Sequence, residues 1–165
     1  MKTAVVDGQE ASIRQIASAS LIGSVVEWYD FFLYGTMAAL VFNAEFFPKF
    51  DPLTGTLAAF TTFAAGFVTR PIGGVLFGHL GDRLGRKPML VVTMMIMGLS
   101  TFAMGLLPTY DSIGVAAPLL LVLLRMLQGI GLGGEWGGAV LLCVEHAPEQ
   151  RSGWYSSWPQ LGVPI

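Results

Sequence analysis

The sequence predicts an all-α membrane protein, and three observations carry that prediction. Hydrophobic residues make up 53% of the 165 residues and charged residues only 12%, whereas soluble domains are about one quarter charged. The apolar residues are gathered into four stretches, each near the length of about 20 residues that a helix needs to cross a bilayer. Short segments rich in Gly, Pro and charged residues separate these stretches. The chain therefore lacks the polar surface of a soluble domain.

Each predicted span has a boundary in the sequence. The first ends before the turn-rich NAEFFPKFDPLTG, and the second is followed by the polar GDRLGRK. Pro88 opens the third span, since proline is favoured in the first turn of a helix. PTYDSIGVAAP separates the third span from the fourth, and EHAPEQRS follows the fourth. The predicted spans are residues 20–42, 57–80, 88–107 and 117–143, with an incomplete fifth span at 154–165 and a polar tail at 1–19.

The last apolar stretch stops about half a membrane after it starts. A helix that ended there would leave backbone polar groups in the hydrocarbon without partners. We therefore expect the chain to be part of a longer protein with further spans.

Basic residues in the loops predict the orientation. Loops that carry more Lys and Arg stay in the cytoplasm, and the side that holds the N-terminus has six such residues against Lys49 alone on the other. This asymmetry predicts an integral membrane protein with a cytoplasmic N-terminal tail. The six are Lys2, Arg14, Arg83, Arg86, Lys87 and Arg151.

Several functional classes find no support in the sequence. The net charge is −2, and no basic patch with interleaved aromatic residues indicates nucleic-acid binding. Cys143 is the one cysteine, so neither an internal disulfide nor a cysteine metal pair is expected. It lies near Glu145 and His146, but neighbours in sequence do not supply the geometry of a nucleophile with its base. The other histidine is His79, and no metal-ligand spacing appears. We expect no enzyme, no metal and no cofactor.

Charged side chains lie inside the predicted spans. In the first span the apolar side chains favour insertion by about 3 to 6 kcal/mol, whereas two acids near the centre cost about 5 to 7 kcal/mol. These two contributions nearly cancel, so the acids need a wet cavity, cationic partners or bound protons. The charged residues within the spans are Glu27, Asp30, Arg70, Arg125 and Glu135.

Helical spacing gathers most of these charges into two stripes. Four residues of the first span follow i, i+3, i+4, i+7 and share one helix face. A second stripe on the fourth span is about 15 Å long, at 1.5 Å per residue. Two interpretations remain open: structural ion pairs that hold a bundle together, or a polar pathway for a charged solute and protons. The first stripe contains Glu27, Asp30, Phe31 and Tyr34, and the second contains Arg125, Gln128, Leu132 and Glu135.

Glycines mark the second and fourth spans. Small residues at helical spacing allow helices to approach closely. The stretch QGIGLGGEWGG also satisfies G-x-G-x-x-G, but nucleotide binding would require a preceding strand and a polar turn. Helix packing is therefore the better interpretation. The glycines concerned are Gly66, Gly74 and Gly78 in the second span and Gly129, Gly131, Gly133, Gly134 and Gly137 in the fourth.

The loop GHLGDRLGRK, residues 78–87, resembles the signature of the major facilitator superfamily. It matches G-x-L-x-D-R-x-G-R-[RK] at every defined position. Gly81 and Gly85 permit a tight turn between helices, and Asp82 can cap the third helix or pair with a cation. The resemblance implies a cytoplasmic charge latch that also includes an acid and an arginine after the fourth span. The implied latch residues are Gly78, Asp82, Arg83, Gly85, Arg86, Lys87, Glu145 and Arg151.

Three further stretches, VVEWYDFFLYG, RPIGG and RMLQGIGLGGEWGGA, are similar to the metabolite:proton symporter branch. Members of that branch carry proline and betaine, dicarboxylates, citrate or shikimate-type acids, and ALVFNAEFFP with GTLAAF most resembles the shikimate and related carboxylate carriers. The resemblance implies a twelve-helix transporter in the plasma (bacterial inner) membrane, with substrate between two six-helix halves. The chain would be the N-terminal part of this helix bundle, with the C-terminal half missing.

We therefore expect proton-coupled symport of a small organic acid or zwitterionic metabolite. A guanidinium holds a carboxylate with two parallel donors, although Arg70 could equally be a cation that snorkels to the interface. The competing interpretation is a truncated bundle that interacts through its glycine faces and transports nothing. The proton-coupling candidates are Glu27, Asp30 and Glu135. The substrate-binding candidates are Tyr34, Arg70, Arg125 and Gln128.

Overall fold

The computed structural model describes residues 2–162, with side chains over residues 13–148 and 150–162. Met1 of the predicted tail and residues 163–165 of the predicted fifth span lie outside the described residues. A π-helical segment, Ala38–Phe42, joins α1 to α2, and two 3-10 helices, Glu149–Arg151 and Trp158–Gly162, flank α7. The α-helices are α1 (Lys2–Met37), α2 (Asn43–Phe46), α3 (Pro52–Leu84), α4 (Arg86–Gly105), α5 (Tyr110–Ile113), α6 (Ala116–His146) and α7 (Ser152–Ser156).

Within the described residues, four helical stretches are long and apolar enough to cross a membrane, which confirms the predicted all-α membrane class. The predicted spans 20–42, 57–80 and 117–143 lie within these stretches, and 88–107 runs just past the end of α4. The four stretches are Ile13–Phe46, Pro52–Leu84, Arg86–Gly105 and Ala116–His146.

The first helix begins well before the predicted first span. Helix α1 includes the described part of the polar tail without a break. Ile13 and Ala17 are fully buried against Cys143 and Tyr155. These two residues are four apart, so they share one face of α1 and pack against the end of α6 and against α7. The tail is thus joined to the bundle as a continuation of α1.

Capping and turn residues fix the ends of α3. The Thr54 amide donates to Asp51 Oδ1 at 3.2 Å, which caps the start of α3. Hydrogen bonding from Thr54 lowers the pKa of Asp51 below its ordinary value. At the other end Gly85 has φ +98°, a conformation that residues with a Cβ rarely adopt. The predicted tight turn is therefore made by Gly85, whereas Gly81 is a helical residue.

The predicted fifth span forms short helical pieces in its described part. Helix α7 ends at Ser156, and the 3-10 helix Trp158–Gly162 follows it. Pro159 accounts for the interruption because a proline disfavours the α conformation of the residue before it. This segment packs against α1, where Gly162 lies beside Ser24.

Helix α6 is the centre of the bundle and packs on both α3 and α4. Its close approach to α3 depends on glycines. A Cβ on Gly133 would overlap the backbone of Arg70, and a Cβ on Gly73 would overlap that of Ile130. The predicted packing role is thus confirmed for Gly133. It is wrong for Gly78 and Gly137, where an added Cβ would meet no atom of the described residues within 4 Å. Among the other predicted glycines, the contacts are tight at Gly66, Gly129, Gly131 and Gly134, whereas Gly74 lies at ordinary van der Waals distance from Gly133.

Candidate functional site

A buried polar cluster joins three membrane helices. Asp30 of α1 accepts a hydrogen bond from Gln128 Nε2 on α6 at 2.6 Å and another from Thr101 Oγ1 on α4 at 2.8 Å. Arg125 Nη1 lies 3.5 Å from Asp30 Oδ2. Asp30, Arg125 and Gln128 are all buried. The cluster therefore brings a carboxylate, a guanidinium and an amide together. Since these groups are buried, they provide for one another the polar contacts that water would otherwise make.

Gln128 connects the members of this cluster. Its Nε2 donates to Asp30 and to Thr101 Oγ1, the latter at 2.7 Å, while its Oε1 accepts from Arg125. Both N–H donors and the acceptor of the amide are used. A leucine of similar size could make none of these bonds, so the amide is required at this position.

Aromatic rings enclose the guanidinium of Arg125. Its Cζ lies 4.0 Å from the ring centroid of Tyr34 and 4.7 Å from that of Phe63. The two rings stack on each other at 5.3 Å. Cation–π contacts strengthen when the cation is desolvated, and Arg125 is only 1% exposed. Gly66 leaves room for the side chain, since a Cβ there would lie 3.0 Å from Arg125 Nε.

Tyr34 is anchored on the other side. Its hydroxyl lies 2.7 Å from Thr62 Oγ1, and the Thr62 hydroxyl donates to the Ala59 carbonyl oxygen at 2.6 Å. Because Thr62 has a single proton, Tyr34 donates to Thr62. A cavity of about 390 Å³, here called the outer cavity, reaches Asp30, Tyr34 and Thr101. Glu45 and Thr109 line the end of this cavity that is nearer the loops.

Glu27 on α1 and Arg70 on α3 are charged residues of the membrane helices that do not belong to the Asp30 cluster. Neither has an ion-pair partner within 4.0 Å among the described residues. The Arg70 guanidinium stacks on Phe67 at 4.4 Å, and its buried Nε has no hydrogen-bond partner within the described part of the chain. Glu27 therefore lies outside the Asp30 cluster, although both acids are on the face predicted for α1.

Glu135 stands apart from the Asp30 cluster as well. It is ten residues after Arg125 on α6, which places it about 15 Å further along the helix axis. The side chain is 4% exposed, and Oε2 has no partner among the described residues. Oε1 faces Gly23 of α1, where an added Cβ would lie 3.0 Å away. The predicted stripe on α6 is thus divided between two depths.

Ion pairs join the start of α4 to the ends of α3 and α6, at the place where the resemblance implies a latch. Arg86 Nε donates to Glu145 Oε1 at 2.6 Å, and Arg86 Nη2 donates to Asp82 Oδ1 at 3.0 Å. Asp82 thus pairs with a cation, one of its two predicted roles. Arg83 and Lys87 are exposed, Gly78 lies on α3 facing a groove toward α6, and Arg151 ends the 3-10 helix after Glu145.

The family described as "Sugar (and other) transporter" matches residues 16–165 of the chain. The chain belongs to this transporter family, within the major facilitator superfamily. It is an integral membrane protein, as the four apolar helices also indicate. The family contains transporters rather than enzymes, in agreement with the sequence expectation.

Relatives in this transporter family span a range of cargoes. The chain is 58% identical to the shikimate transporter of Escherichia coli over 152 residues, 92% of this chain and 35% of that protein. It is 54% identical to an inner membrane metabolite transport protein of Escherichia coli over 154 residues, 93% of this chain and 35% of that protein. It is 41% identical to the proline/betaine transporter of Escherichia coli over 153 residues, 93% of this chain and 30% of that protein.

The chain spans about a third of the length of the curated relatives that it matches. No solved structure matches it at comparable significance. The resemblance to the major facilitator superfamily drawn from the loop and the span sequences is confirmed.

Sequence reasoning missed several residues of the chain's polar cluster. Thr101 is one of three hydroxyl residues in the apolar helix α4, with Thr93 and Ser100, and hydroxyls often bond only to their own helix backbone. Thr62 and Phe63 lie one turn before Gly66 on α3 and reach Tyr34 and Arg125. Only the packing of α3 and α4 on α6 brings these side chains to the charges, so spacing along one helix could not identify them.

Proposed function

We propose that the chain forms part of a longer secondary transporter that moves a small organic acid or zwitterion together with a proton. One observation supports this proposal above the others. Asp30, Arg125 and Gln128 form a buried polar cluster at bilayer depth, at the end of the outer cavity. Charges inside membrane helices are expensive and mark ion and substrate pathways.

The pair of Asp30 and Arg125 explains how a proton and an anion can be coupled. Removing one member of a buried pair costs about 3 to 5 kcal/mol, because the other charge is left uncompensated. Protonation of Asp30 alone would impose that cost on Arg125. A substrate carboxylate that binds Arg125 at the same time replaces the lost partner. The two ligands therefore favour each other's binding, which is the requirement for symport.

The other candidate residues support substrate binding beside this pair. Tyr34 and Gln128 hold the guanidinium of Arg125 in place, and Gln128 can turn its amide toward a substrate when Asp30 is neutral. Arg70 offers a second cation at the level of Glu27, with an unused Nε. A substrate with two polar ends, such as a hydroxylated acid or a zwitterion, suits two cations and an acid at different depths.

The latch supports an alternating mechanism. Arg86 ties the start of α4 to Asp82 at the end of α3 and to Glu145 at the end of α6. We propose that this side faces the cytoplasm, with the N-terminus, and that Gly78, Gly85 and the basic residues around them hold the cytoplasmic side closed. Arg83, Lys87 and Arg151 would then face lipid phosphates or acids in the remainder of the carrier. Lipid and that remainder are the partners we propose.

A chimera tests this proposal directly. The chain replaces the stretch of the Escherichia coli shikimate transporter to which it aligns, and the product is reconstituted into liposomes. With one proton per substrate, a pH gradient of about one unit, acidic outside, should accumulate shikimate about tenfold, since that gradient supplies about 1.4 kcal/mol. Asp30→Asn should lose this accumulation but keep downhill exchange.

The control is Asp111→Asn, which removes an exposed acid from α5, outside the clusters. A chimera that inserts and folds but carries nothing, while the intact relative carries shikimate, would contradict the proposal. Shikimate accumulation that does not depend on the pH gradient would agree with transport but contradict proton coupling.

A further inference from the structure

A second cavity opens on the side of the latch and ends at Glu135. It measures about 640 Å³ and lies between α1, the start of α4 and the last turns of α6. We call it the inner cavity. Its mouth carries exposed polar side chains, whereas its far end is closed by Gly23, Met94 and Glu135. The polar groups at the mouth are Gln15, Lys87, Glu145 and His146.

Glu135 is built into this end of the cavity. Oε1 fills the space that Gly23 leaves on α1, and a Cβ at Gly23 would press on Glu135 Oε1 at 3.0 Å and on Met94 Cε at 3.4 Å. Oε2 is buried without a hydrogen-bond partner among the described residues. An isolated buried carboxylate is costly. Since neither oxygen has a cation within ion-pair distance there, the group is suited to hold a proton.

The groups around Glu135 come from α1, α4 and α6, and α4 contributes both charged and apolar residues to the inner cavity. Helix α4 contributes the apolar Leu90, Val91 and Met94 to the cavity wall. Glu27 lies one turn after Gly23 on the same face of α1, and Arg70 is the cation in the middle of α3. The charged and titratable groups at the mouth are Arg86, Lys87, Glu145 and His146.

We propose that Glu135 is a proton-binding site that exchanges protons with water on the latch side through the inner cavity, apart from the substrate path. This inference rests on the proposed symport and adds a separate exit for the proton. Asp30 and the Gly23 position that faces Glu135 are seven residues apart on α1, about 10 Å along its axis. Glu27 lies between them. The two cavities thus end at two different buried acids, Asp30 and Glu135.

The proton balance of the exit is simple. The proton leaves the Glu135 carboxyl for water in the inner cavity and leaves a carboxylate behind. A proton that arrives from Asp30 by way of Glu27 restores the neutral carboxyl. The substrate is held at Arg125 and does not need to pass through the inner cavity between α1 and α4.

Thiol labelling of the 165-residue chain in liposomes tests access. In a Cys143→Ser background, single cysteines replace Gln15, Ala19 and Met94, from the mouth to the far end of the inner cavity. A charged, membrane-impermeant reagent added on the latch side should label all three. Val75→Cys, on a strongly exposed face of α3 at bilayer depth, is the control and should stay unlabelled. Labelling of the Gln15 position alone would overturn the proposed route.

Infrared spectroscopy of the same chain tests the proton itself. The carbonyl band of a protonated carboxylic acid should fall in Glu135→Gln and remain in the control Asp111→Asn. Its exchange in deuterated buffer should be slowed by Gly23→Leu, which fills the end of the inner cavity. An unchanged band in Glu135→Gln would contradict the proposal.

Transport by the chimera separates this inference from the proposed function. Glu135→Gln should lose at least about nine tenths of the pH-driven accumulation while substrate exchange across the membrane continues. If Glu135→Gln accumulates shikimate as the unmodified chimera does, symport stands and the inner exit is wrong. If the unmodified chimera carries nothing, the proposed function itself fails.

Discussion

Separating the pair of Asp30 and Arg125 should destabilise the bundle more than any exposed ion pair does. Asp30→Asn removes the carboxylate 3.5 Å from a guanidinium that is 1% exposed. The new amide can donate to Thr101 and accept from Gln128, so the hydrogen bonds survive and the lost charge dominates. We expect a loss of about 3 to 5 kcal/mol in the free energy of unfolding, the usual cost of breaking a buried pair.

A double-mutant cycle isolates this cost. Arg125→Met alone leaves Asp30 with the Gln128 and Thr101 donors, and we expect a smaller loss of about 2 to 4 kcal/mol. The double variant contains neither charge and should be less destabilised than the sum by at least about 2 kcal/mol. Reversible unfolding of the chain in lipid bicelles provides the measurement. The pair of Asp82 and Arg86 is the control, because Asp82 is 65% exposed and its coupling should be at most about 1 kcal/mol. Additive losses at Asp30 and Arg125 would refute the reasoning.

Three further predictions concern the frame of the bundle. Gly85→Ala should cost about 1 to 3 kcal/mol in thermal unfolding because φ is +98° there, whereas Gly98→Ala, in open space on α4, should be neutral or stabilising. Gly133→Ala should separate α3 from α6 and lower the thermal stability, while Gly137→Ala should not, since only the first added methyl meets backbone. Asp51 has a lowered pKa in the folded state. Its cap on α3 should therefore be fully present above the ordinary carboxyl pKa and be lost as the pH falls through the folded-state pKa. Amide hydrogen exchange in the first turn of α3 measures this loss.

Each of these has a clear opposite outcome. Equal effects at Gly85 and Gly98 would show that the positive φ is not needed for the turn. Equal losses of thermal stability in Gly133→Ala and Gly137→Ala would contradict the close contact of α3 and α6 at Gly133. If amide hydrogen exchange in the first turn of α3 does not depend on pH through the Asp51 titration, the predicted cap is wrong.

Much of the fold was predictable because the bilayer sets the length of each helix. Apolar length and loop residues predicted four spans, and the spacing of charges placed Asp30 with Tyr34 and Arg125 with Gln128 on single faces. Residue spacing shows which face of a helix a side chain is on, however, and does not show which cavity at which depth it belongs to. Glu135 shares the face of Arg125 but lies about 15 Å further along, and it belongs to a different cavity.

Contacts between helices were less accessible from the sequence. Helix propensity and spacing do not distinguish Gly73, where an added Cβ would overlap Ile130, from Gly78, where it would meet no described atom within 4 Å. Thr101 carries no charge that would single it out from an apolar helix. The described tail is helical because Ile13 and Ala17 are buried in partners far away in sequence, and a polar composition gave no indication of this packing.

The central claim is that the buried charges of this bundle bind a proton and a solute together. The direct measurement is the pH of weakly buffered medium around liposomes that contain the chimera, after shikimate is added with no initial gradient. The medium should become alkaline as solute and protons enter in equal numbers, and Asp30→Asn should admit solute without any change in pH. Equal proton entry with carboxylate or amide at position 30 would contradict the claim.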